Sequence, residues 1–102
     1  MSFWRTFLQP NGVTIFSKTT CPHCDEVKSI FESVGVRYKA VEVNLGWTDA
    51  QITQLKQESG HPSFPNVWAG NTCLKGCSNV KEMLVNRSLF TILNQHGIKY
   101  NA

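Results

Sequence analysis

Apolar and polar residues along this chain switch between two periods, and the switches mark out an ordered set of elements. Phe3, Trp4, Phe7 and Leu8 recur at helical spacing until Pro10-Asn11-Gly12 stops them. Val13-Thr14-Ile15-Phe16-Ser17 reads as a strand, rich in β-branched and aromatic residues. Pro22 suits a first helical position, and Val27, Ile30, Phe31 and Val34 follow on one helical face before Gly35 ends it. Tyr38, Ala40, Val41 and Val43 form a second strand. Thr48-Asp49-Ala50-Gln51 has capping-box form and opens a helix that carries Ile52 and Leu55 and closes near Gly60. Two short strands, 66–69 and 72–74, are joined by Gly70-Asn71, a hairpin signal. Residues 79–82 resemble a helix cap ahead of Val80, Met83 and Leu84. The apolar phase slips at Asn86-Arg87-Ser88 and restarts with Leu89, Ile92 and Leu93, which predicts two C-terminal helices.

A strand-helix-strand unit implies a right-handed parallel pair, and the hairpin adds an antiparallel one. The predicted fold is therefore α/β, three layers (αβα) around a four-stranded mixed sheet. The 102 residues suit a single domain spanning 1–102. A net charge of +3 is carried by scattered basic residues, so nucleic acid is not an expected partner, while a small anion at a local patch is. No apolar run has transmembrane length or the form of a signal peptide, so no membrane association is expected. Four cysteines without an export signal point to a reducing compartment, and the expected location is cytoplasmic.

The chemistry concentrates in Cys21-Pro22-His23-Cys24, at the start of the first long helix and just beyond the first strand. Open α/β sheets bind ligands at that end of their strands. Unpaired N–H groups and the positive end of the helix dipole stabilise a thiolate there, well below the free-thiol value of roughly 8.5. Cys21, the exposed N-cap residue, is the expected nucleophile, with Lys18 adding charge beside its sulfur. Cys24, one turn on and more buried, is the expected resolving thiol. His23, if protonated beside the sulfur, would lower the Cys21 pKa further; the alternative is an exposed ring that only packs.

The segment Lys18-Thr19-Thr20-Cys21-Pro22-His23-Cys24 resembles the Lys-x-x-Cys-Pro-Tyr-Cys segment of dithiol glutaredoxins, members of the thioredoxin-fold superfamily. Ser63-Phe64-Pro65 stands where that family has Thr-Val-Pro with a cis proline. Leu74-Lys75-Gly76-Cys77-Ser78-Asn79 resembles its Ile-Gly-Gly-Cys-x-Asp. The departures are His23 for Tyr, Phe64 for Val, Lys75 for Gly and Asn79 for Asp. Cys-Pro-His-Cys is also the pattern of periplasmic disulfide-forming oxidases, which are longer and carry an inserted helical domain.

The resemblance implies a thioredoxin/glutaredoxin fold and a glutathione-dependent thiol–disulfide oxidoreductase. Its substrates would be protein–glutathione mixed disulfides and protein disulfides, with ribonucleotide reductase a common family target. Glutathione would be the reducing cosubstrate, with no metal, in a monomer. The implied groove comprises Lys18, His23, Phe64, Pro65, Ser78 and Asn79. Lys18 would hold the glycine carboxylate, the Phe64 backbone the cysteinyl unit, and Ser78 and Asn79 the γ-glutamyl end. Gln51 or Gln54 would contribute from the second helix. Lys75 would be strained where Gly had positive φ, so the local turn is expected to differ. His61 is read as a solvated loop residue, Trp47 and Trp68 as packing, Cys73 as a semi-exposed thiol and Cys77 as a buried filler.

Three other functions compete. A thioredoxin-like carrier would draw on another electron donor. A zinc domain would use all four cysteines, although the 48 residues between Cys24 and Cys73 exceed the usual spacing of roughly 15–20. An iron–sulfur cluster shared between two chains is disfavoured by Pro22, which cluster-binding members of the family generally lack.

Overall fold

The structure is a computed structural model that describes residues 2–101. A short 3₁₀ helix at Phe3–Phe7 leads into strand β1 (Val13–Ser17), helix α1 (Pro22–Ser33), strand β2 (Tyr38–Glu42) and helix α2 (Asp49–Ser59). The hairpin β3 (Asn66–Ala69) and β4 (Thr72–Lys75) follows, then helices α3 (Cys77–Val85) and α4 (Ser88–Gln95). The sheet order is β2-β1-β3-β4, with β1 and β2 parallel and the other pairs antiparallel. The four-stranded mixed sheet matches the expectation.

The two-residue period of the central strands assigns each side chain to a layer. Val13 and Ile15 of β1 join Val67, Ala69 and Leu74 on one face. There they meet Val27 and Phe31 of α1, Val80 and Met83 of α3, and Leu89 and Leu93 of α4. Phe16, Trp68 and Cys73 point the other way, toward Trp4, Leu55, Trp47 and Ile52. Each fully buried aliphatic or aromatic side chain in these cores contributes about 1.5–3 kcal/mol relative to exposure.

The N-terminal segment is a 3₁₀ turn, where helical spacing alone does not separate the two forms. It is anchored by Trp4, fully buried, whose Nε1 donates to Glu58 of α2 (2.8 Å). Helix α2 carries the full capping box between Thr48 and Gln51 and ends at Gly60 in the left-handed region (φ 71°). Helix α3 starts earlier than residues 79–82 suggested. Gly76 is its N-cap, and Asn79 is its third residue. The break between α3 and α4 falls at Asn86-Arg87.

Candidate active site

Three chain segments converge beyond the C-terminal end of β1: the first turn of α1, the loop after α2 and the first turn of α3. Pro22 occupies the first position of α1, so Cys21 becomes the N-cap with extended backbone (φ −133°). Its Sγ accepts the Cys24 backbone N–H at 3.1 Å. That is one of the donors a helix start leaves unpaired, and it favours negative charge on Cys21 once the sulfur is a thiolate. Cys21 and Cys24 are joined in a disulfide, their Cα atoms 5.2 Å apart. Cys24 is fully buried and Cys21 only partly so. One sulfur of the pair is therefore the accessible one.

The Phe64–Pro65 peptide is cis, as expected, and places the Phe64 carbonyl oxygen 3.9 Å from Cys21 Sγ. The Phe64 ring has two cations over it, Lys18 Nζ at 5.0 Å and Lys56 Nζ at 5.7 Å from its centroid. An open cleft of about 280 Å³ runs beside this loop; His23, Phe64, Pro65, Ser78 and Asn79 are all on its walls, with His61, Lys75 and Cys77. Of the residues anticipated for the groove, Lys18 stands off these walls, on the Phe64 ring instead, and Gln51 and Gln54 are absent from them too.

The first turn of α3 has no side-chain cap, and its first intrahelical bond joins Val80 N–H to Gly76 C=O (3.0 Å). The preceding N–H groups of Cys77, Ser78 and Asn79 carry the positive end of the helix dipole toward the cleft. Asn79 is partly engaged already: its Nδ2 donates to the Leu74 carbonyl (2.7 Å), which leaves Oδ1 for a ligand. Lys75 keeps positive φ (65°), so the turn does not depart as anticipated; its Nζ donates to the Ser59 carbonyl at the end of α2 (3.1 Å).

Residues 13–74 match the family model described as glutaredoxin. The chain belongs to the glutaredoxin family. It is similar to a glutaredoxin from Ricinus communis (31% identity, covering 95% of this chain and 96% of that one). It also resembles glutaredoxin-C2 of Arabidopsis thaliana (30%, covering 91% and 85%). Among solved structures it superposes on a buckwheat glutaredoxin–glutathione complex with a TM-score of 0.85 at 32% identity, covering 92% of this chain and 86% of that one. Membership makes this glutaredoxin a thiol–disulfide oxidoreductase of thioredoxin fold.

Sequence reasoning missed part of the site of this glutaredoxin. His61 is half-buried on the cleft wall and not a solvated loop residue. Burial pushes its imidazole below the ordinary value, against a hydrogen bond to the Pro65 backbone, and the Lys75 charge pushes the same way. Its position directly after the Gly60 cap, four residues before Pro65, was the available signal. Lys56 was also unforeseen, although it flanks the buried Leu55. Gln51 closes the capping box and Gln54 bonds to Glu58, so both are engaged away from the cleft. Cys73 packs on the α2 face of the sheet and Cys77 on the other, so among the described residues the four cysteines do not converge on one ion.

Proposed function

We propose that this glutaredoxin reduces protein–glutathione mixed disulfides and protein disulfides at the expense of glutathione. The observation that carries this reading is the shared geometry of sulfur and cleft. The accessible sulfur of the pair lies 3.9 Å from the Phe64 carbonyl, on the loop that walls a cleft whose far end is a helix N-terminus.

In the first route the Cys21 thiolate attacks the glutathione sulfur of a mixed disulfide. The target protein's thiolate leaves and takes a proton from solvent. Cys21 then carries glutathione until the thiolate of a second glutathione attacks it; oxidised glutathione departs and the Cys21 thiolate returns. In the second route Cys21 attacks a protein disulfide, Cys24 displaces the target by closing on Cys21, and two glutathiones reopen the pair. The lower-pKa sulfur is both attacker and good leaving group.

The bound tripeptide would lie along the Phe64 backbone as an added strand. Lys18 and Lys56, both over the Phe64 ring, would attract the glycine carboxylate. The N–H groups of Ser78 and Asn79 would hold the γ-glutamyl carboxylate, and Asn79 Oδ1 would accept from the ammonium. That last bond keeps one charged partner rather than two and is correspondingly weaker. His23 would border the glutathione sulfur, and Pro65 would fix the loop. A coupled assay tests the reading: turnover with glutathione and glutathione reductase supports it, and turnover only with thioredoxin reductase refutes it.

A further inference from the structure

His23, Glu26 and Cys77 bring one nitrogen, one oxygen and one sulfur within 4.8 Å of one another at the lip of the cleft. His23 and Glu26 are three residues apart on α1 and so share a face; Cys77 is the first residue of α3, across from them. The Cys77 thiol donates to Glu26 Oε1 at 3.2 Å, and His23 Nδ1 lies 3.5 Å from the same oxygen. Lys81 pairs with the other carboxylate oxygen, Oε2, and so holds Oε1 toward the thiol.

We propose that His23 Nδ1, Glu26 Oε1 and Cys77 Sγ form a zinc site. Tetrahedral zinc with ligand bonds of about 2.0–2.3 Å sets its ligand atoms roughly 3.3–3.7 Å apart. Two of the three separations stand at or next to that range before any ion arrives. The third closes by rotation of the His23 ring, whose side chain is 74% exposed. Zinc replaces the thiol proton in the Sγ–H···Oε1 bridge, and that proton goes to solvent. The resulting thiolate and the carboxylate balance the ion's two charges. A thiolate, an imidazole and a carboxylate suit zinc and not magnesium or calcium, which prefer oxygen alone. Lys81 supplies the outer partner that orients a ligating carboxylate.

Three protein ligands leave a fourth position for water or a free thiol, as in zinc sites that exchange a ligand. His23 and Cys77 both border the cleft, so the ion stands at the groove's entrance and opposes substrate entry. Neither active-site sulfur is required, and the site is complete while the Cys21–Cys24 disulfide is closed.

The decisive measurement is metal titration of the whole oxidised protein, with Co²⁺ as the coloured probe and Zn²⁺ as its competitor. One equivalent of Co²⁺ should give a thiolate-to-metal absorption band that Zn²⁺ removes. Cys77→Ser should abolish the band and Cys73→Ser should leave it. Glu26→Gln and His23→Tyr, both at solvent-facing positions that do not threaten folding, should each weaken binding by about tenfold or more. Absence of the band from oxidised protein overturns the proposal, as does wild-type affinity in either Glu26→Gln or His23→Tyr. Inhibition is read separately, because it rests on the exchange reaction proposed above whereas binding does not. Buffered Zn²⁺ should slow the wild type and spare Glu26→Gln, whose basal activity is retained; equal inhibition of both places the metal on the active pair instead.

Discussion

Lys75 shows at the residue scale how one side chain bears a backbone conformation suited to glycine. Its φ of 65° costs about 1–2 kcal/mol for a residue with a Cβ, offset in part by a part-buried hydrogen bond from Nζ to the Ser59 carbonyl. Lys75→Gly should therefore raise stability by about 1 kcal/mol, whereas Lys75→Ala should give no gain, since it keeps the Cβ and loses the bond. Denaturant midpoints of the two variants check this; destabilisation by Lys75→Gly would show that the Ser59 bond outweighs the strain. Individual residues were unevenly legible in the sequence. The positions of Cys21 and Cys24 followed from Pro22 and helix-start physics, which are local. His61 and Lys18 did not, because a side chain's surroundings depend on segments far away in sequence. His61 is buried by the Pro65 and Gly76 backbones, and Lys18 is drawn to the Phe64 ring.

Two helix starts, those of α1 and α3, make the site at the scale of elements. The start of α3 packs closely on the loop that carries Pro65 because Gly76 has no side chain: a Cβ there would stand 2.8 Å from His61 Nε2 and 3.4 Å from the Pro65 carbonyl oxygen. Gly76→Ala should push the His61 ring into the cleft and raise the KM for glutathione several-fold. It should also cost about 1 kcal/mol of stability, since alanine is a poor N-cap. Steady-state kinetics together with thermal unfolding separate these effects, and an unchanged KM would contradict the crowding. Most elements were readable from local signals, as the Thr48–Gln51 capping box, the Gly60 cap and the break at Asn86-Arg87 show. The misjudged ones lacked a local signature. The Phe3–Phe7 segment is too short to hold an α-helix by itself and takes its form from Trp4 packing. The cap of α3, Gly76, lies three residues before Asn79 and offers no side-chain hydrogen bond to recognise.

The whole molecule divides into two apolar layers on either side of the sheet, and its ionisable groups sit where those layers meet solvent. Lys81 and Cys77 hold the Glu26 carboxyl below its ordinary value, and bonds from Ser2 and Trp4 do the same for Glu58. Burial lowers the His61 imidazole. All three groups bind protons more readily in the unfolded chain, so stability is complete at neutral pH and falls with acid. The decline should begin below about pH 6.5 through His61 and steepen below about pH 4.5 through the carboxylates. His61→Gln should flatten the first part of the curve in denaturant titrations from pH 7 to 4; an unchanged slope would remove His61 from the account. Function is likewise a property of the assembled cleft, and the roles of its two sulfurs can be separated. The most direct measurement is deglutathionylation of a glutathionylated protein by Cys24→Ser and Cys21→Ser, coupled to glutathione reductase. The account predicts that Cys24→Ser keeps this activity and loses reduction of protein disulfides, while Cys21→Ser loses both. Equal loss of deglutathionylation in the two variants would contradict Cys21 as the glutathione-carrying nucleophile.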